Sequence, residues 1–118
     1  MIRIEVLRSL EDSLYEVEFN FEGTTKKAIL DYNSIRADIV YGNIDVRYFF
    51  HEETTFNKVQ IDEDDEDIYH VYLEEYICTG NNYNAYDIEH KVYKTKKGAL
   101  NFAYKLAKEY DCNVDLLD

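Results

Sequence analysis

Tyr15-Glu16-Val17-Glu18-Phe19-Asn20-Phe21-Glu22-Gly23 alternates apolar and polar residues without a break until the glycine. A period of two places Tyr15, Val17, Phe19 and Phe21 on one face of a β-strand and Glu16, Glu18 and Asn20 on the other. Gly23 supplies the turn, and Thr25 to Leu30 returns as the hairpin partner. A sheet with one buried and one wet face follows, which is the usual pattern of antiparallel pairing.

Working outward, Ile2, Ile4 and Val6 alternate with Arg3 and Glu5 and predict a strand before the hairpin, with Glu11-Asp12-Ser13 as the turn between them. Asn33 to Val40 suggests one short helical turn capped by Asn33 or Ser34. Beyond Gly42-Asn43, Ile44, Val46, Tyr48 and Phe50 form another alternating strand. Phe56 to Ile61 reads as a short strand, and Ile68 to Cys78 as a long one, apolar on both faces and hence central. Gly80-Asn81-Asn82 closes a hairpin onto Tyr86 to Tyr93. Thr95 is a suitable N-cap, and Ala99, Phe102, Ala103, Leu106 and Tyr110 then form one helical stripe. Asn113 to Leu117 is a last short strand. The predicted fold is α+β: an antiparallel sheet of about five to seven strands with one long C-terminal helix, 95–110, packed on one face. The 118 residues make one domain without repeat or linker.

The charge is large and segregated. The net charge is −12, and 46% of residues are apolar, enough to bury a core despite it. Residues 1–90 hold 7 bases and 21 acids, net −14, whereas residues 91–118 hold 6 bases and 4 acids, net +2. Its focus is Asp62-Glu63-Asp64-Asp65-Glu66-Asp67, six consecutive acids expected in a solvated loop, with Glu52 and Glu53 nearby. Such a surface repels nucleic acid and attracts basic proteins. The cluster Lys91, Lys94, Lys96 and Lys97 beside Tyr93 has the aromatic–basic mixture that can bind single strands. The acidic remainder opposes that role, so these lysines are assigned to a solvated helix start.

Motifs for chemistry are missing. Asp62-x-Asp64-x-Glu66 has the spacing of a calcium loop, but that loop needs Gly at its sixth position and an acid at its twelfth, where this chain has Asp67 and Leu73. No Gly-rich phosphate loop or nucleophile elbow occurs. Cys78 and Cys112 fit neither a disulfide framework nor a zinc site. If the segments around Asn81-Asn82 pair, His70 and His90 become cross-strand neighbours, and Glu75 or Glu89 beside them would complete a metal or acid–base site. The commoner role of a lone strand histidine is structural or solvent-facing. The expectation is therefore a non-enzyme with no cofactor and no metal. Without a signal peptide or an apolar run of membrane length, a bacterial cytoplasm is the expected location.

Acidic rows can imitate DNA. Same-face residues on a strand lie ~6.6–6.8 Å apart, about two phosphate steps of axial rise. Glu16, Glu18 and Glu22 form such a row, with Glu5 on a neighbouring strand, and Glu52, Glu53 and Asp62 to Asp67 add further charge. In kind, a single Cys-poor domain with this acidic tract, Tyr-rich acidic strands and no catalytic motif resembles the small acidic anti-CRISPR and anti-restriction inhibitors of phages and mobile elements. The resemblance implies a stoichiometric inhibitor that occupies a basic nucleic-acid-binding surface of a protein partner, without itself binding nucleic acid or membrane. Two other classes compete: a non-catalytic bacterial or phage interaction module, homodimeric through its sheet, and a small enzyme with a His/Glu site.

Overall fold

The computed structural model describes residues 1–117. Their order is β1 (Ile2–Ser9), β2 (Leu14–Phe21), β3 (Thr24–Asp31), α1 (Tyr32–Tyr41), β4 (Val46–Glu63), β5 (Tyr69–Gly80), β6 (Asn82–Tyr93), α2 (Lys96–Glu109) and β7 (Val114–Leu117). The fold is α+β, with strand order β3-β2-β1-β4-β5-β6 and β7 paired to β4. Two compact units divide it: residues 1–56 with 77–84, and residues 57–76 with 85–118.

In the first unit, β2 pairs antiparallel with both β1 and β3, with Val17 opposite Val6 and Ala28. Glu22-Gly23 is the two-residue turn between β2 and β3, both residues at positive φ (51° and 80°), as the twist of a tight hairpin requires. α1 follows β3 and returns the chain to β4, which runs parallel beside β1 from Ile2 opposite Val46 to Val6 opposite Phe50. The core of this unit combines Val6, Val17 and Ile35 with aromatic rings: Phe56 is fully buried, 5.1 Å from the Tyr32 ring and 6.1 Å from that of Phe50.

The second unit repeats this element order with other residues. The end of β4 leads through β5 and β6 to α2, and β7 then runs parallel to β4, Val114 opposite Val59. Val59, Ile61, Val71 and Leu73 from the sheet are buried with Ala99, Ala103, Leu106 and Ala107 from α2. The small alanines let helix and sheet approach closely. Thr95 caps α2, its hydroxyl accepting the Gly98 N–H at 3.1 Å.

Two features of the expected fold are corrected. The sheet is mixed, because a helix between two strands lets them run parallel, and this happens at β1/β4 and at β4/β7. The C-terminal helix is not the only one. The single turn expected at 33–40 is the ten-residue α1, capped by Asp31, whose Oδ1 accepts the Ser34 N–H at 2.7 Å, and closed by Gly42 at φ 69°. The two strands expected at 44–50 and 56–61 are one strand, β4, while Ile44 lies outside it. Its buried positions fall on even numbers at Tyr48, Phe50, Thr54 and Phe56, and on odd numbers at Val59 and Ile61.

Candidate functional site

The six acids lie at an exposed hairpin tip held by hydrogen bonds. β4 carries Asp62 and Glu63 to its end, and Asp64 to Asp67 make the turn into β5. The Asp64 N–H donates to the Ile68 carbonyl at 2.9 Å, and the Asp67 N–H donates to the Asp64 carbonyl at 3.1 Å. Asp67 adopts φ 60°, the left-handed conformation that ends a three-residue hairpin loop. Asp64 is the acceptor that organises the tip. Its Oδ1 takes the N–H groups of Glu66 (2.9 Å) and Ile68 (3.1 Å), and its Oδ2 lies 2.8 Å from His70 Nε2. The His70 contact first, then the backbone donors, hold this carboxyl below its ordinary pKa. Asp62 accepts from the Gln60 amide at 3.1 and 3.2 Å. Tyr69 is raised above its usual pKa by burial first, then by Glu63 and Asp67. Asp65, Glu66 and Asp67 remain exposed at the apex.

A histidine pair adjoins this tip in the same unit. His70 Nδ1 lies 2.9 Å from His90 Nε2. The Tyr72 ring stacks on His90 at 4.3 Å and 10°. Val71 and Leu73 point into the core, so strand alternation turns His70 and Tyr72 to the opposite face. The hydrogen bonds restrict the tautomers. Because the Asp64 carboxylate only accepts, His70 carries its proton on Nε2 when neutral, which leaves Nδ1 as a lone pair toward His90. The expected pairing of His70 with His90 is therefore present. The carboxylate that joins them is Asp64, however, where Glu75 or Glu89 had been expected.

The strand row lies in the first unit, and it is mixed in charge. Glu16 forms a 2.6 Å ion pair with Arg8. Glu18 sits between Glu5 on β1 and Lys27 on β3. Glu5 also contacts His51 Nε2 at 3.2 Å. Arg3 pairs opposite Arg47, and its guanidinium covers the Phe49 ring at 5.2 Å. Glu22 belongs to the β2/β3 turn, off the strand face. Glu52 accepts a long 3.4 Å bond from the Ser9 N–H, and Glu53 is exposed. The first unit has 6 bases and 11 acids, net −5, and the second has 7 bases and 14 acids, net −7.

Other candidate features involve residues outside the tip and the histidine pair. A cavity of about 510 Å³ in the first unit includes Asp38, Arg47, Tyr48 and Tyr83 in its walls. There the Tyr48 hydroxyl donates to Asp38, and burial first, then Asp38, raises its pKa, so Tyr48 stays protonated at neutral pH. The Lys91 ammonium lies 4.5 Å from the centre of the Phe102 ring. Cys78 is a free thiol, and burial pushes it up to about 12. Among the described residues no group of three or more His, Cys, Asp or Glu is placed to hold a metal ion, and no helix is long and apolar enough to cross a membrane. Compared with family models, curated proteins and solved structures, the chain matches none.

Proposed function

We propose that this protein is a non-catalytic acidic binding module whose hairpin tip, Asp62 to Asp67, docks into a basic surface of a partner protein of the nucleic-acid-binding kind. The observation that supports this reading is the fixed turn around Asp64. One carboxylate is committed to holding the backbone, which presents Asp65, Glu66 and Asp67 to solvent from a defined scaffold. Charges held in place lose less conformational entropy on docking than charges on a mobile loop. Dense like charge also steers encounter with a cationic surface. The mixed strand face, with Arg8, Lys27 and Arg47 among its glutamates, favours the tip over the Glu16/Glu18 row as the contact.

Two experiments test it. Gel shifts with single- and double-stranded DNA and RNA at low salt should show no complex, and a submicromolar complex would sink the proposal. Affinity capture from a bacterial lysate should enrich a basic nucleic-acid-binding protein with the wild-type chain. The same capture should fail with Asp65→Asn, Glu66→Gln and Asp67→Asn combined. Equal capture by both chains would remove the tip from the interface.

A further inference from the structure

We infer that His70 and His90 form a two-imidazole binding site for a divalent transition metal, with copper(II) the favoured ion and nickel(II) next. The inference does not depend on the docking role of the acidic tip. Its basis is the convergence of two ring nitrogens, His70 Nδ1 and His90 Nε2, at 2.9 Å. One proton fits between two such nitrogens, and a metal ion can take its place once both rings are neutral. Two nitrogens bound at about 2.0–2.1 Å and at right angles to each other lie about 2.8–3.0 Å apart, the edge of a tetragonal site. A tetrahedral site sets them about 3.3–3.4 Å apart, so zinc would have to spread the rings. The 2.9 Å separation is that of the hydrogen bond now joining the rings and lies near the tetragonal edge, and copper(II) is favoured because it binds nitrogen donors more tightly than nickel(II) or zinc.

The surroundings prepare both ligands. Asp64 Oδ2 lies 2.8 Å from His70 Nε2 and accepts its proton in a hydrogen bond, which fixes the tautomer whose Nδ1 carries the lone pair. A carboxylate behind a ligating histidine is the usual outer partner of a metal-bound imidazole. Tyr72, stacked at 4.3 Å on His90, restrains the second ring. Both histidines stand on neighbouring strands, β5 and β6, so their spacing is set by the sheet and not by a loop. The two remaining positions of a tetragonal ion are left to water or to an outside ligand.

Copper(II) titration of the full-length protein tests this, read by calorimetry and by electron paramagnetic resonance at pH 7.5 in a non-coordinating buffer. The wild type should bind one equivalent with hyperfine coupling to two imidazole nitrogens. His70→Gln and His90→Gln should each weaken binding at least tenfold and lose one nitrogen coupling, while His51→Gln should behave as wild type. Asp64→Asn keeps an acceptor oxygen for the turn, and should weaken binding by about tenfold through the lost outer-partner charge. Circular dichroism of each variant confirms that it is folded. An excess of calcium should not displace the copper. The inference is overturned if the His70→Gln/His90→Gln double variant binds as tightly as wild type, or if calcium competes, since the acidic tip would then be the site.

Discussion

Leu73→Ala removes the largest aliphatic side chain that the second unit buries completely. Leucine-to-alanine changes in cores cost about 2.7–5.0 kcal/mol, depending on how far the neighbours relax into the space. Here the neighbours are poorly suited to relax. Val59, Ile61 and Val71 are β-branched and held in strands, and of the four buried residues on the facing helix three are alanines without reach, Ala99, Ala103 and Ala107, with Leu106 the fourth. The upper part of the range, about 3.5–5 kcal/mol, is therefore expected. A chain of this size is stable by about 6–18 kcal/mol, so the variant should fold with its melting temperature lower by roughly 10–20 °C. Urea unfolding followed by circular dichroism measures the change, with an unchanged slope indicating that the unfolded state is unaffected. Ile44→Ala is the control, since Ile44 is 87% exposed and its loss should stay within about 0.5 kcal/mol. A cost below about 1 kcal/mol for Leu73→Ala, or one equal to that of the control, would refute the packing described between β4, β5 and α2.

Thr95→Ala should destabilise the protein by about 1 kcal/mol in the same urea assay, because the Gly98 N–H loses its acceptor, and Thr95→Ser should restore most of it. Cys78 titrates near 9.0 when unfolded and at about 12 when folded, so the fold favours its neutral thiol. That contribution is complete below about pH 9 and is lost as pH rises from about 9 to about 12. Wild-type stability should accordingly fall up to about 1.4 kcal/mol per pH unit more steeply than that of Cys78→Ala across this window, and parallel profiles would count against it. Chelator should leave the melting temperature unchanged, since both cores are built from apolar side chains; a drop that zinc or copper restores would show that a metal holds the fold.

How far the sequence disclosed this structure depends on the range of the interactions. The β2/β3 hairpin was legible because its period and its turn are local. The turn at Glu22-Gly23 also placed Glu18 opposite Lys27, so the mixed charge of that face was within reach. α2 was legible from its stripe and its cap. α1 was underestimated because only Ile35 and Arg36 are buried on it, leaving no apolar stripe, and because its cap, Asp31, is also the last residue of β3. β4 was broken in two because His51-Glu52-Glu53-Thr54-Thr55 offers no large apolar residue between Phe50 and Phe56, although Thr54 keeps the even-numbered buried face through that stretch. Parallel pairing depends on a partner far away in sequence, and no local pattern encodes it. The repeated strand–strand–strand–helix–strand order was hidden because different side chains fill the two cores: Val6, Val17, Ile35, Tyr48, Phe50 and Phe56 are buried in one, and Val59, Ile61, Val71, Leu73, Leu106 and three alanines of α2 in the other. At the site, hairpin pairing brought His70 to His90. Asp64 was missed because it acts from the corner of the turn, and its hydrogen bonds follow from the loop closing at Asp64 and Ile68.

The most direct measurement of the docking claim is the association rate with the captured partner across ionic strength, for three chains. These are the wild type, the Asp65→Asn/Glu66→Gln/Asp67→Asn variant, and Glu16→Gln/Glu18→Gln. Asp64 is left intact so that the turn survives. If the tip docks, its neutralised variant should associate more slowly and with a flatter salt dependence, while the Glu16/Glu18 variant, which leaves the tip untouched, should stay close to wild type. Identical rates and salt slopes for the wild type and the tip variant would contradict the account.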